Sequence, residues 1–257
     1  ISTDNYNINR RGKVGVVHID QNDALETFLA DKNIKPVRQL LSPMSSKNML
    51  NEDTKITDPE VIQEYKSNIG VCNFFSMATR YDIAFATNKL SQFSDSPTVG
   101  SVKALNKVLS YLRGNSTFHI KGIFGPKRDV TGYYSDSDHG GSMPIHTHSQ
   151  TGSILMLNSV PIYWKSKKQK TNTAVSIAEA EVYALHFTVS QARYLNWKRE
   201  DFGIKVIWPM TVYVDNDQAK SFCNNLNVNG KLRTTFNMKD TWVKELRDSN
   251  VLKVEYV

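Results

Sequence analysis

The sequence predicts a mixed α/β protein in which a five-stranded mixed sheet with flanking helices follows a small, mostly helical subdomain. Apolar residues recur every three or four positions between residues 59 and 113, which is helical spacing. After Gly122 short segments alternate between apolar and polar residues, and the later ones are separated by helical stretches. Strands that come first and then alternate with helices are typical of a mixed sheet with helices on its faces.

The first 58 residues predict a hairpin, a helix and a connector. Residues 9–13 are turn formers, and residues 14–19 form a short strand after them. Leu25, Phe28 and Leu29 then follow helical spacing. Two prolines and a polar run over residues 45–58 indicate an irregular segment, so we expect a connector there.

Residues 59–125 predict a helical subdomain. Its third helix extends from about residue 99 to 113 and ends at Gly114, where a C-terminal cap is expected. The side chains predicted to face inward from this helix are Val102, Leu105, Val108, Leu109 and Leu112.

Residues 126–257 predict the mixed sheet. Strands at 130–136, 151–157 and 160–164 are joined by short polar links, which indicates an antiparallel meander. The elements expected after them are a long helix at 176–202, a strand at 211–215, helices from 217 and at 239–247, and a last strand at 251–257.

Bulk properties narrow the classes of function. The net charge of +7 and the isoelectric point of about 9.2 favour a polyanionic partner, of which nucleic acid is the commonest, although unrelated basic proteins share such values. Cys72 and Cys223 are far apart, so neither a disulfide framework nor a thiol metal site is expected. No run approaches the roughly 18 apolar residues of a membrane span, and the amino terminus has no signal core, which predicts a chain that begins inside a longer reading frame.

Glu181 is the first candidate for chemistry. It shares one face of the long helix with Ile177, Ala184, Leu185 and Thr188. An ionised carboxylate on an apolar face is costly unless it is paired or bound to a metal, and partial exposure at the helix end is the alternative. Ser176 and Glu179, by contrast, form a capping box, which explains Glu179 structurally.

Asp136 and Asp215 each close a predicted strand. An acid in this position is often only a turn or helix cap. If the two strands are neighbours and the long helix crosses them, Asp136, Asp215 and Glu181 converge at one edge of the sheet. Three such carboxylates remain ionised when a hard divalent cation such as Mg²⁺ bridges them, and a pair of these ions can support phosphodiester cleavage.

A basic segment precedes the long helix. Trp164, Lys165, Lys167, Lys168 and Gln169 belong to a predicted loop over residues 164–170, between the third strand and the helix. One aromatic ring among lysines suits contact with a nucleic-acid backbone. A solvated loop without a partner is the alternative.

Several motifs together resemble the Pol polyproteins of copia-type LTR retrotransposons, including yeast-like elements. The five that resemble the ribonuclease H domain are YSDSDHGG (134–141), SQTGSILML (149–157), YWKSKKQ (163–169), SIAEAEVYAL (176–185) and VYVDNDQA (212–219). Upstream, residues 64–93 and 104–115 resemble the segment that joins the polymerase to ribonuclease H, and residues 18–29 and 35–44 resemble the piece after the polymerase palm.

The resemblance implies a three-part chain. Residues 1–58 would be the end of the reverse transcriptase after the palm, 59–125 a thumb- or connection-like subdomain, and 126–257 a ribonuclease H-like domain. Asp136, Glu181 and Asp215 match three of the family's four metal-binding acids, so two Mg²⁺ ions, or Mn²⁺ in their place, would be the cofactors. The implied activity is hydrolysis of the RNA strand of RNA–DNA hybrids during reverse transcription and transposition.

The implied partners are an RNA–DNA hybrid and the rest of the polyprotein, namely the polymerase palm and the integrase, in a cytoplasmic virus-like particle or the nucleus, with no membrane. Two departures from the family pattern affect activity. The polymerase motif Tyr-x-Asp-Asp is absent, so DNA synthesis is not expected, and the fourth acid normally follows the last strand, whereas the sequence ends at Val257. An inactive remnant that binds nucleic acid and a host-adopted protein are therefore the alternatives.

Overall fold

A computed structural model describes seven stretches of the chain: residues 15–35, 40–44, 54–124, 131–138, 148–169, 177–224 and 238–257. They belong to two compact units, the first with the described residues up to 124 and the second with those from 131 onward. Among these residues, no helix has the length and apolar character that a bilayer crossing requires. The boundaries predicted near residues 58 and 125 stay predictions, because residues 45–53 and 125–130 lie outside the described stretches.

The described part of the first unit is mainly helical. It contains β1 (Gly15–Ile19), α1 (Asn22–Asp31), α2 (Pro59–Ala78), α3 (Ala84–Ser91), α4 (Val99–Gly114) and β2 (Ile120–Phe124). Helix α2 begins at Pro59 because the side chain of Asp58 accepts a hydrogen bond from the backbone N–H of Glu60. Helix α4 begins at a reciprocal capping box between Thr98 and Ser101, and it ends at Gly114 as predicted.

One apolar core holds these helices together. Four of the five residues predicted to face inward from α4 are buried, namely Leu105, Val108, Leu109 and Leu112, whereas Val102 is half-buried against the same core. Side chains from α1, α2 and α3 complete it, including Leu25, Leu29, Tyr65, Phe75 and Leu90. The predicted helical spacing is therefore confirmed by burial.

The strand predicted at residues 14–19 is confirmed as β1, but its observed partner comes from far along the chain. β1 pairs antiparallel with β2, with Gly15 opposite Phe124 and Ile19 opposite Ile120. The turn predicted at residues 9–13 lies outside the described stretches.

The second unit contains a five-stranded mixed sheet, as predicted. Its elements are β3 (Thr131–Asp138), β4 (Gln150–Leu157), β5 (Val160–Lys168), α5 (Ile177–Asp201), β6 (Met210–Val214), α6 (Asp217–Asn224), α7 (Met238–Asp248) and β7 (Leu252–Tyr256). The strand order is β5-β4-β3-β6-β7. β3, β4 and β5 form the predicted antiparallel meander, and β6 and β7 join parallel to β3.

Two strand ends differ from the prediction. β5 continues to Lys168 instead of ending at residue 164, so the predicted loop over residues 164–170 is wrong at least as far as Lys168. β3 continues to Asp138, so Asp136 lies within a strand and does not close it. Both extensions are held by pairing with β4, where Asp138 and Lys168 lie on either side of Gln150.

Helix α5 packs on the sheet and fixes the position of its own first turn. Val182, Leu185 and Val189 of α5 are buried in one core with Tyr133 of β3 and Leu155 of β4. The same core includes side chains of β6, β7, α6 and α7, among them Val212, Val254, Cys223 and Leu246. The start of α5 is thereby set against the middle of the sheet.

Candidate metal centre

Two of the candidate acids lie on, or directly after, neighbouring strands of the sheet. β3 and β6 run parallel, and their pairing reaches Ser135 and Val214. Asp136 and Asp215 are the next residues along the two strands. Because corresponding residues of neighbouring strands project from the same face of a sheet, the two carboxylates point the same way. Both side chains are exposed.

Glu181 reaches these acids from α5. Its side chain is only 4% exposed, and Ala184, Leu185 and Thr188 on the predicted inward face are fully buried, whereas Ile177 at the first residue of the helix is exposed. One carboxylate oxygen from each of Asp136, Glu181 and Asp215 lies within 4.8 Å of the other two. The structure therefore brings together the three acids that the sequence singles out, across two strands and a helix.

The three carboxyl groups of the cluster are close enough for their negative charges to repel. Burial raises the pKa of Glu181 from 4.5 to about 7, although hydrogen bonding from Ser137 lowers it. The negative charges of Asp136 and Asp215 act in the same direction as burial. Loss of solvation and then the charge of Asp215 raise the pKa of Asp136. Without a cation, the site therefore favours keeping a proton on Glu181 near neutral pH.

The donor set fits a hard divalent cation. Oε2 of Glu181 is buried and has no hydrogen-bond partner among the residues that the structure describes. Two oxygens on opposite sides of one Mg²⁺ lie about 4 Å apart, since each Mg–O distance is about 2.1 Å. The spread of 4.8 Å in the cluster is close to this value. A cation there would satisfy the orphan oxygen and relieve the repulsion.

The predicted basic segment forms an edge strand. Lys165 and Lys167 are exposed on β5, whereas Trp164 and Lys168 are half-buried. The ammonium of Lys167 lies 5.7 Å from the centre of the Phe187 ring of α5. A fixed strand therefore presents these charges, at the side of the sheet where β5 has no further neighbour among the described strands.

Gln169 differs from the other residues of that segment. It is 7% exposed, and its amide donates hydrogen bonds to Thr151 and to the backbone of Ala180. Its side chain is thus engaged inside the unit, and the nucleic-acid contact that the sequence indicates stays a prediction. The sequence reasoning missed this internal role, for which a single polar residue after a run of lysines gives no signal.

The sheet order and the acids define the class of protein. Three antiparallel strands are followed by two parallel ones, which is a ribonuclease H-like sheet. Glu181 of α5 completes an acidic triad with Asp136 of β3 and Asp215 after β6.

Comparison with known proteins finds retrotransposon Pol polyproteins among the relatives of this chain. The chain is 34% identical over 81% of its length to the retrovirus-related Pol polyprotein from transposon RE1 of Arabidopsis thaliana. It is 26% identical over 92% of its length to that from transposon TNT 1-94 of Nicotiana tabacum. A third relative, secreted RxLR effector protein 161 of Plasmopara viticola, is 34% identical over 51% of this chain and 90% of its own length. No protein-family model matches the chain.

The chain belongs to the family of copia-type retrotransposon Pol polyproteins. It spans 14% of the length of the RE1 polyprotein and 18% of that of TNT 1-94. It therefore corresponds to one region of such a polyprotein, the region that contains the ribonuclease H-like sheet.

Proposed function

We propose that this region is a ribonuclease H that hydrolyses the RNA strand of RNA–DNA hybrids with Mg²⁺ as its cofactor. The observation that carries the proposal is the triad itself. A buried Glu181 with an orphan oxygen lies within 4.8 Å of two exposed aspartates on a ribonuclease H-like sheet. Such a cluster is costly for stability, and perturbed carboxylates of this kind are concentrated at functional sites.

The three acids have distinct roles in this proposal. Asp136 would contact both cations, and Glu181 and Asp215 would each complete the ligands of one. The two ions, when bound, would activate the attacking water and stabilise the leaving oxygen. Glu181 is buried, while the exposed Asp136 and Asp215 leave the site open to a phosphodiester.

The edge strand β5 supports a role in hybrid binding. Lys165, Lys167 and Lys168 place positive charge on a rigid strand in the same unit as the triad, beside Trp164. Lysines contact phosphates without regard to base sequence, which suits a substrate recognised by its shape and its 2′-hydroxyls. We further propose that the region acts within its polyprotein, beside the polymerase and integrase regions, in a cytoplasmic particle.

Cleavage of a labelled RNA–DNA hybrid in Mg²⁺ tests the activity. Loss of a ligand that stabilises transition-state charge by several kcal/mol lowers the rate on the order of 1,000-fold, so Asp136→Asn should abolish measurable cleavage. Asp217→Asn is the matched control, because Asp217 is exposed in the first turn of α6, two residues beyond Asp215. Equal rates for wild type and Asp136→Asn would refute the proposal.

A second candidate function is a remnant that keeps the fold without the activity. One observation favours it: a protein named as a secreted effector matches half of this chain along 90% of its own length. This candidate predicts hybrid binding without cleavage in the wild type and in Asp136→Asn alike. It also predicts no measurable Mn²⁺ binding by the triad.

A further inference from the structure

Gln169 ties the first turn of α5 to the sheet. Its Nε2 donates to the backbone oxygen of Ala180 at 2.9 Å and to Oγ1 of Thr151 at 3.1 Å. Its own backbone N–H donates to the oxygen of Ser149 at 2.8 Å. Ala180 is fully buried and directly precedes Glu181. One neutral side chain thus links the end of β5, the second residue of β4 and the turn of α5 that carries Glu181.

We infer that Gln169 is a positioning residue, which holds Glu181 in the metal centre against the repulsion of Asp136 and Asp215. The inference rests on the proposed function. Three carboxylates within 4.8 Å of one another repel when ionised, and Glu181 is the one that reaches the cluster from a helix, without the strand pairing that holds the sheet residues. The apolar core holds α5 along its length, but its first turn also needs a contact beside the acids.

The chemistry of Gln169 suits this task. An amide carries no charge, so it neither adds to the repulsion nor pairs with a carboxylate that a cation needs. Both N–H groups of Nε2 are engaged, one on the helix and one on the sheet. Oε1 has no partner among the described residues, which indicates that the side chain serves as a donor. Partners that orient metal ligands in this way typically change metal affinity by about 10–100-fold when removed.

Mn²⁺ titration of the 257-residue chain by calorimetry tests the first consequence. Gln169→Met keeps the length of the side chain and removes both donors, and we expect at least about tenfold weaker Mn²⁺ binding. Gln150→Met is the matched control. Gln150 is also buried, and its Nε2 donates to Oγ of Ser166 at 2.9 Å, so it joins the same two strands. We expect the control to bind Mn²⁺ within about twofold of wild type, because that bond does not reach α5.

Hydrogen exchange in metal-free protein tests the second consequence. In Gln169→Met, the amides of residues 177–183 should exchange faster at pH 8, while the carboxyl-terminal half of α5 should be unchanged. A double-mutant cycle with Asp136→Asn separates positioning from packing. Asp136→Asn removes one repelling charge, so the effect of Gln169→Met on exchange should shrink in that background. A packing role alone would give the same effect in both backgrounds and would overturn the inference.

The two proposals fail differently. Unchanged Mn²⁺ affinity in Gln169→Met, in a protein whose binding is abolished by Asp136→Asn, would overturn the positioning role and leave the nuclease proposal standing. Absence of Mn²⁺ binding in wild type would refute the nuclease proposal. The exchange cycle would still decide whether Gln169 restrains Glu181.

Discussion

Both units bury ionisable side chains deeply, and two of these side chains, Arg80 and Glu181, have opposite surroundings. In the first unit the guanidinium of Arg80, which is 1% exposed, donates to both oxygens of Asp82 and to the backbone oxygen of Asn115. It also lies 4.9 Å from the centre of the Phe118 ring. In the second unit Glu181 has an orphan oxygen and two negative neighbours.

This difference in surroundings distinguishes a charged residue with a structural role from a charged residue that is a candidate for function. A buried cation with satisfied donors and an aromatic neighbour is a closed arrangement that needs nothing further. A buried anion with like charges beside it gains stability from a proton or a cation. Burial alone does not identify a functional residue, whereas a buried acid with a raised pKa beside like charges is a candidate for one.

The largest expected effect is on the stability of the first unit. Removing one partner of a buried ion pair typically costs about 3–5 kcal/mol, so Arg80→Met should lower the free energy of unfolding by that amount. Chemical denaturation followed by circular dichroism measures it. Arg113→Met is the control, since the pair between Arg113 and Glu26 is more exposed and should contribute at most about 1 kcal/mol. Equal losses of unfolding free energy in Arg80→Met and Arg113→Met would show that Arg80 is not the stabilising buried charge that we contrast with Glu181.

Glu181→Gln should have the opposite effect and raise the free energy of unfolding of the metal-free protein. The folded state keeps the proton of Glu181 up to a pKa of about 7, whereas the unfolded chain releases it near 4.5. The free energy of unfolding therefore falls as pH rises from about 4.5 to 7 and is then level, a loss of about 3 kcal/mol at most. Glu181→Gln removes this loss and should be the more stable protein at pH 8.

The same comparison at pH 4 provides the internal control for Glu181→Gln. Glu181 is protonated in the folded state and mostly protonated in the unfolded state there, so the two proteins should unfold at nearly the same denaturant concentration. A gain in stability that is equal at pH 4 and pH 8 would show that the charge of Glu181 is not its cause.

Mg²⁺ should stabilise the second unit in a pH-dependent way. Below pH 7 the ion has to displace the proton of Glu181, so its stabilising effect should be smaller at pH 5.5 than at pH 8. Thermal unfolding with and without 10 mM Mg²⁺, a concentration on the order used to saturate weak sites, measures the difference. Asp136→Asn should show little stabilisation at either pH. Equal shifts in wild type and Asp136→Asn would place Mg²⁺ elsewhere.

Exposed charges should affect stability least. Replacing Lys165 and Lys167 of β5 by Gln should change the free energy of unfolding by less than about 0.5 kcal/mol. Each lysine that contacts a phosphate contributes about one unit to the slope of log affinity against log salt for a hybrid, so the slope should fall by about two. Lys198→Gln is the control, because Lys198 is exposed on α5 and paired with Asp201. An unchanged slope in the β5 variant would refute its phosphate contacts.

Local signals account for most of the elements that the sequence predicts. The start, the end and the inward face of helix α4 are all indicated by residues within it or next to it, from the Thr98 cap to Gly114. The pairing of β1 with β2 has no such signal, since strand partners are chosen by contacts between distant segments. β5 was predicted too short because lysines are typical of loops, yet they are also tolerated on an edge strand, where they discourage pairing with other chains.

Local sequence signals also single out the three acids of the triad. Glu181 interrupts an apolar face, which is unusual for an acid, whereas Asp136 and Asp215 are at predicted strand ends, where acids are common. That the three meet depends on β3 and β6 being neighbours, which the sequence leaves conditional and the structure supplies. Gln169 could not be found in this way, because its bonds to Thr151 and Ala180 involve segments whose proximity is known only from the fold.

The parallel pairing of β3 with β6 has a consequence for synthesis of the chain. All of β4, β5 and α5 lies between these strands, so the ribosome must complete a long crossover before Asp215 can take its place beside Asp136. A nascent chain that ends before β6 has the antiparallel meander but not the complete ligand set. Cation affinity should therefore arise abruptly as the polypeptide lengthens past this strand.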